Sequence, residues 1–328
     1  MSVTTEIEQV ADELRTAEKL LLTTHENPDG DALGSLLGMH LALAQLDKEA
    51  AMFLAAANFP LPHEYRHLPL TGLLNAPPDD VDERLVVFLD CGNIDRMPVD
   101  FLRSEDVRIV NIDHHHDNTR FGEVNYVDSS ASSTAELVWR LTKELGAELT
   151  PPLAEALYVG LVTDTGRFMY RNTGAESHRM AAELIEAGAS PHEVNRRVFE
   201  SLPFRRLELL ARALARVERV DGGVLTVTHL TREDYLDTGS DEHDSEGVVD
   251  HLRSVEGTAV AVLVRELLGE DRAGQRKVSL RAVDGRVDVS RIARGFGGGG
   301  HTQAAGFTTG LPVRELLERV RAEVGEQL

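Results

Sequence analysis

Cysteine occurs once in the 328 residues, at Cys91, so no disulfide can form within the chain. Lysine is confined to positions 19, 48, 143 and 277, and arginine supplies the rest of the 34 basic residues against 55 acidic ones. The formal net charge is −21. A protein that holds long nucleic acid by counterion release needs a basic surface. This composition excludes long nucleic acid as a partner and leaves room only for a short one. No apolar run approaches the ~20 residues needed to span a bilayer, so no membrane partner is expected. The segment Met1–Leu20 is charged, reads as an amphipathic helix, and lacks the basic-then-apolar order of a signal peptide. Cytoplasm is therefore the expected location.

The chain has the length of two domains, and a hydrophobic share of 42% suits two packed cores. In the first half, apolar runs alternate with helical periodicity. Strand candidates are Lys19–Thr24, Ala50–Ala55, Leu85–Leu89 and Arg108–Ile112. Helix candidates are Leu33–Leu46, Ser132–Leu145 and Leu153–Val162. The expected fold class is α/β, with an N-terminal doubly wound, mainly parallel sheet and a smaller C-terminal α/β domain. The expected boundaries are 1–185 for the first domain, 186–220 for a helical connector and 221–328 for the second domain. That second part has strand candidates at Val224–His229, Thr258–Val264 and Lys277–Val283, a short helix at Val289–Phe296 and a closing helix at Val313–Val324. The acidic stretch Asp237–Glu246 reads as a surface loop.

Four acidic or histidine clusters fall at the ends of these elements: His25-Glu26-Asn27-Pro28-Asp29-Gly30-Asp31, Asp90, Asp113-His114-His115-His116, and Asp164. In open α/β sheets, ligands bind outside the carboxyl ends of the strands. Each cluster alone has a plain explanation. Asp29-Gly30-Asp31 suits a turn, Asp90 can end a strand, Asp164 can end a helix, and three histidines can form a surface tract. Together they are harder to explain that way, because carboxylates gathered in one place repel unless cations neutralise them. His25, Asp29, Asp31, Asp90, His114 and Asp164 suffice for two divalent ions, one carboxylate bridging. Cys91 reads as a small buried residue, and Ser132-Ser133-Thr134 as a helix cap.

His25-x3-Asp29-Gly30-Asp31-Ala32-Leu33-Gly34-Ser35 and Asp113-His114-His115 resemble the first and the naming motifs of the DHH phosphoesterases. Asp90 and Asp164 stand where the second and fourth motifs belong. Gly297-Gly298-Gly299-Gly300-His301 resembles the GGGH signature of the DHH-associated C-terminal domain. The combination resembles the NrnA-type nanoRNases, which include oligoribonucleases, pAp phosphatases and cyclic di-AMP or pApA phosphodiesterases. The resemblance implies a hydrolase with two ions, Mn2+ favoured, that turns short oligonucleotides, pAp, pApA or cyclic di-AMP into nucleoside monophosphates. It also implies a homodimer. By the same resemblance, His25 and Asp29 hold one ion and Asp31, His114 and Asp164 the other, with Asp90 bridging. Asp113 orients a ligand histidine, and His115 faces the substrate phosphate.

In the second domain the resemblance extends to Ser279 and Arg281, a Ser-x-Arg pair whose side chains share one face of a strand. With Gly299, Gly300 and His301 they form the expected substrate-binding set. Arg276, Lys277, Arg281, Arg286, Arg291 and Arg294 crowd together in an acidic protein and read as a phosphate-recognition patch facing the metal site. Asn172-Thr173 resembles a further contact segment. Three alternatives remain. An inorganic pyrophosphatase would carry a different C-terminal domain. A RecJ-like exonuclease would be longer and less acidic. A non-catalytic nucleotide-binding regulator would be expected to have lost some of the six ligands.

Overall fold

A computed structural model describes residues 5–97, 99–103 and 107–328. The chain divides between Ser201 and Leu202 into two compact units.

The first unit is built from α1 (Glu6–Thr16), β1 (Lys19–Thr23), α2 (Gly30–Ala44), β2 (Glu49–Met52), β3 (Leu85–Leu89), β4 (Ile109–Asp113), β5 (Val124–Val127), α3 (Thr134–Leu145), α4 (Pro151–Asp164), α5 (Ala175–Glu186) and α6 (Pro191–Phe199). Of the expected N-terminal helix, Met1–Thr4 lie outside the described residues. The five strands are all parallel, in the order β2-β1-β3-β4-β5. Every residue of β3 and β4 is buried; β3 reads as an unbroken apolar run, and β4 is apolar except for Asn111 and Asp113. In this strand order the topological switch point lies between β1 and β3, and a ligand crevice opens at their carboxyl ends. Among the described residues, no helix is long and apolar enough to cross a membrane.

Helix α2 crosses α4 at close range because small residues line the contact. A Cβ on Gly34 would stand 2.5 Å from the Ala156 carbonyl oxygen, and one on Gly160 would stand 2.6 Å from Ala135 Cβ and 2.8 Å from Asp31 Oδ1. The approach brings the first turn of α2 beside α4, and with it Asp31.

The second unit comprises α7 (Phe204–Ala215), β6 (Glu218–Val220), β7 (Leu225–Leu230), α8 (Arg232–Thr238), α9 (Val248–Arg253), β8 (Val260–Glu266), β9 (Arg276–Ala282), α10 (Val289–Gly295), β10 (Gly299–His301), β11 (Ala304–Thr309) and α11 (Val313–Gly325). Its sheet runs β10-β11-β9-β8-β7-β6, antiparallel except for the β7–β8 pair. Ile292 of α10 and Leu316 and Val320 of α11 pack with Val278 and Leu280 of β9 on one face. Leu209 of α7, Tyr235 of α8 and Leu252 of α9 pack with Leu230 and Leu263 on the other.

One expectation needs correction. The stretch 186–220 is not a separate connector. Val194 and Val198 of α6 are buried in the first unit's core, whereas Leu209 and Ala213 of α7 are buried in the second's. The stretch Asp237–Glu246 lies at the surface, with Asp237, Asp241 and Glu246 exposed. Asp241 caps a 3-10 turn at Glu242–Ser245, and Asp244 alone among its acids turns inward, to accept from Arg205 Nε at 2.7 Å.

Gly160→Ala should lower the unfolding free energy by about 1–3 kcal/mol, the usual cost of overpacking. Urea denaturation followed by circular dichroism measures this.

Candidate metal centre and phosphate-binding face

His25 follows β1 by two residues, and its Nδ1 meets the Glu26 carbonyl oxygen at 2.7 Å. Asp29 caps α2 through Oδ1, accepting from the N–H groups of Asp31 and Ala32 at 3.0 and 3.1 Å. Asp90 follows β3 with φ +57°. That left-handed backbone strains an aspartate by about 1–3 kcal/mol and persists only where the surroundings enforce it. Here the Asp90 N–H is held by the Ile112 carbonyl at 3.0 Å. Asp113 closes β4, His114 and His115 follow it, and Asp164 is the last residue of α4.

These five segments converge. His25 Nε2 lies 3.4 Å from Asp90 Oδ2. His114 Nε2 lies 3.7 Å from Asp90 Oδ1, 3.6 Å from Asp164 Oδ2 and 3.9 Å from Asp31 Oδ2. Three trios have donor atoms within 4.8 Å of one another: His25–Asp29–Asp90, Asp31–His114–Asp164 and Asp90–His114–His115. Asp90 is common to the first and the third. All six residues expected as ligands therefore fall within two adjoining groups.

The supporting contacts are buried. Asp31 accepts from the Thr134 N–H at 2.6 Å, the Ala135 N–H at 2.9 Å and Ser35 Oγ at 3.2 Å. Asp90 accepts from Thr134 Oγ1 at 3.0 Å. Asp113 is fully buried. Its Oδ1 meets His115 Nδ1 at 2.7 Å, and its Oδ2 accepts from Asn118 Nδ2 at 2.6 Å. The histidine it touches is His115, whereas His114 Nδ1 faces the Ala131 carbonyl at 3.4 Å. Asn172 donates to Asp164 Oδ2 at 3.1 Å and to the Ser132 carbonyl at 2.8 Å. His116 is exposed.

The charges are far from their ordinary states. Burial first, then Asp90 and Asp164, pushes Asp31 well above the usual carboxylate range. Burial, with Asp90 and Asp29 adding to it, lifts Asp164 to about 7. Burial opposes the charge on His114, but Asp164, Asp90 and Asp31 outweigh it and raise the imidazole to about 9. Burial likewise opposes ionisation of Asp90, yet the contact with His25 and the nearby His115 hold it below the usual range. Crowded carboxylates with interleaved imidazoles are a donor set suited to divalent ions, which supply the missing positive charge. Cys91 is buried and its thiol is pushed up to about 12, a state unsuited to nucleophilic chemistry.

In the second unit, strand alternation decides which residues meet. Ser279 and Gly299 are both paired across Gly306, and Arg281 and His301 across Ala304. The four therefore share one face at the β10 edge. Gly300 points the other way at φ +132°, where a Cβ would stand 2.5 Å from the Ala304 carbonyl oxygen. Ser279 Oγ accepts from Arg265 Nη2 at 2.8 Å. Arg265 is itself buried and bonded to Ser245 Oγ at 3.0 Å, a support that no motif in the sequence signals. Arg281 Nη1 donates to the Leu280 carbonyl at 3.1 Å, and Nε lies 3.7 Å from Asp250 Oδ1.

The expected six-residue basic patch is not one surface. Only Lys277 and Arg281 alternate with Ser279 on its face. Arg276 pairs with Glu266 at 3.1 Å, Arg286 pairs with Asp284 at 2.8 Å, and Arg291 and Arg294 ride on α10, which packs against the opposite face. A period of two separates residues that crowd together along the chain.

The metal-free protein should lose stability as pH rises. Asp164 moves from 3.8 to about 7 on folding, so its contribution is present below 3.8 and lost as pH rises through about 7. His114 moves from 6.5 to about 9, so its contribution is present below 6.5 and lost through about 9. Urea midpoints of EDTA-treated protein should fall across that span, and adding a divalent ion should flatten the fall.

Comparison with known proteins agrees with this geometry. Residues 19–161 match the model of the DHH family, N-terminal domain, and residues 224–327 match the DHHA1 domain. The chain is 36% identical to the bifunctional oligoribonuclease and PAP phosphatase NrnA of Thermus thermophilus, over 97% of this chain and 93% of that one. It is 30% identical to the protein of the same name from Bacillus subtilis, over 88% of each. An exopolyphosphatase-related protein from Bacteroides fragilis superposes with a TM-score of 0.88 at 26% identity, covering 98% of this chain and 96% of its own. A parallel sheet that gathers the Asp-His-His segment with His25, Asp29, Asp31, Asp90 and Asp164, joined in sequence to a DHHA1 domain, places this chain in the DHH family of phosphoesterases.

Proposed function

We propose that the chain is a two-metal phosphoesterase, Mn2+ its preferred ion, that hydrolyses pApA and other very short oligoribonucleotides, and pAp, to nucleoside monophosphates. The observation that carries this is the pair of adjoining donor groups, His25–Asp29–Asp90 and Asp31–His114–Asp164. Relatives named oligoribonuclease and PAP phosphatase support the substrate class. Mixed carboxylate and imidazole donors favour Mn2+ over Mg2+.

His25 and Asp29 would hold one ion, Asp31, His114 and Asp164 the other, and Asp90 would bridge. When bound, such a pair polarises a phosphoryl oxygen and acidifies water toward neutral pH. The chain's own groups do the rest. Asp113 keeps the proton of His115 on Nδ1 and fixes the plane of the ring, which aims its Nε2 edge at a phosphate oxygen. Asn172 holds the Asp164 carboxylate from the outer side. In the second unit, the Arg281 guanidinium is shaped for bidentate contact with a terminal phosphate. Ser279, fixed by Arg265, adds a hydroxyl beside it, Gly299 leaves the surface open above the backbone, and His301 stands at the strand edge. Gly300 lets the edge strand take its left-handed turn. A net charge of −21 disfavours long strands.

The decisive assay presents pAp, pApA, cyclic di-AMP, pyrophosphate and a long single strand to the Mn2+-loaded protein. AMP should appear from pAp and pApA and cease with EDTA. Release from pyrophosphate alone, or binding without turnover, overturns the proposal. Asp90→Ala should reduce turnover to background. Arg281→Ala should raise KM by about ten- to a hundredfold, the worth of one charge-assisted hydrogen bond, with metal content unchanged.

A further inference from the structure

Ser133 caps α3 in the ordinary way, its Oγ accepting from the Glu136 N–H at 3.2 Å. That accounts for one of the N–H groups left without an intrahelical partner at a helix start. The next two, on Thr134 and Ala135, are both taken by the Asp31 carboxylate. The cap leaves the Thr134 hydroxyl over, and that hydroxyl turns to Asp90 Oδ1 at 3.0 Å. One fully buried residue thus donates to two carboxylates carried by different elements, Asp31 on α2 and Asp90 after β3. The same turn reaches a third, since the Asn172 amide bridges the Ser132 carbonyl and Asp164 Oδ2. The turn is itself held. Glu136, buried, accepts from the Ser132 N–H at 3.0 Å and Ser132 Oγ at 2.7 Å, and pairs with Arg140.

We infer that Thr134 is the positioning residue of the metal centre, its hydroxyl fixing Asp90 and its N–H fixing Asp31, so that the shared ligand and one ligand of the second ion keep a set separation. The inference rests on the two-ion reading above. Asp31 and Asp90 repel each other across the site, so unrestrained side chains would swing apart between metal-loading events. Donors from one helix start tie both to the same residue. A carboxylate ligand restrained in this way commonly accounts for a factor of 10–100 in metal affinity.

The test titrates Mn2+ into metal-free full-length protein by calorimetry and records low-temperature electron paramagnetic resonance of the loaded protein. Thr134→Val removes the hydroxyl and keeps the shape; Thr134→Ser keeps the hydroxyl and removes the methyl. Wild type should bind two ions and show the spectrum of an exchange-coupled pair. Thr134→Val should bind at least one ion about tenfold more weakly, with a weakened coupled signal, and Thr134→Ser should stay within about twofold of wild type. If Thr134→Val does not fold, Thr134→Ala against Thr134→Ser reads the same hydroxyl with the methyl absent from both. Wild-type affinity and coupling in the variant lacking the hydroxyl, or equal impairment in Thr134→Ser, overturns the inference alone. Failure of the wild type to bind two ions overturns the two-ion reading and the inference with it.

Discussion

Asp31, Asp90 and Asp164 all stand within 4 Å of a single imidazole nitrogen on His114, and two of the three carboxylates are almost wholly shielded from water. Like charges so close in a poorly solvated place repel strongly, and each also loses its hydration. The first unit is organised around that cost. The parallel sheet ends two strands beside each other at the switch point, so His25 and Asp90 meet across it. Helix α3 aims its first N–H groups at Asp31, where the positive end of the helix dipole favours a carboxylate. Glycines at 34 and 160 let α2 and α4 approach closely enough to bring Asp31 and Asp164 to one place. These arrangements reduce the repulsion without cancelling it, and the remaining deficit of positive charge is what suits the site to divalent ions.

The second unit meets a milder demand. Its antiparallel sheet sets a few polar side chains on one face by alternation, the arrangement on which the proposed phosphate contact rests. Ser279 and Arg281 on β9 line up with Gly299 and His301 on β10 through β11 between them. The opposite face of β9 is closed by α10 and α11, which is why the neighbouring arginines on α10 and at the strand start do not join the set. Arg265 shows how such a face is kept in order: its buried guanidinium ties Ser279 to Ser245 and Glu246.

Much of the strand–helix alternation was legible because parallel strands and amphipathic helices have long, regular apolar periods. Leu85–Leu89 stands where the sequence placed it. The short β5, the three-residue β10 and the small-residue β11 were not legible. Edge and glycine-rich strands bury too little to leave a pattern, and their identity comes from what they pair with. The acidic stretch Asp237–Glu246 lies at the surface as its polarity implies, and Asp244 turns inward because Arg205 of α7 meets it.

The sequence by itself determined the kinds of groups present and where along the chain they stand. Carboxylates and histidines fall at element ends, Gly34, Gly160 and Gly300 fall where close approach or a left-handed backbone is required, and the single cysteine excludes an intrachain disulfide. Only the tertiary structure decided which groups meet. It placed Asp90 and His114 each in two donor groups, directed Asp113 to His115, and split one run of basic residues between two faces. It also turned Thr134, which reads along the chain as part of a helix cap, toward two carboxylates at once. Residue type and local period are properties of the chain. Distances between side chains tens of residues apart depend on how sheet order, helix crossing and strand pairing close in space.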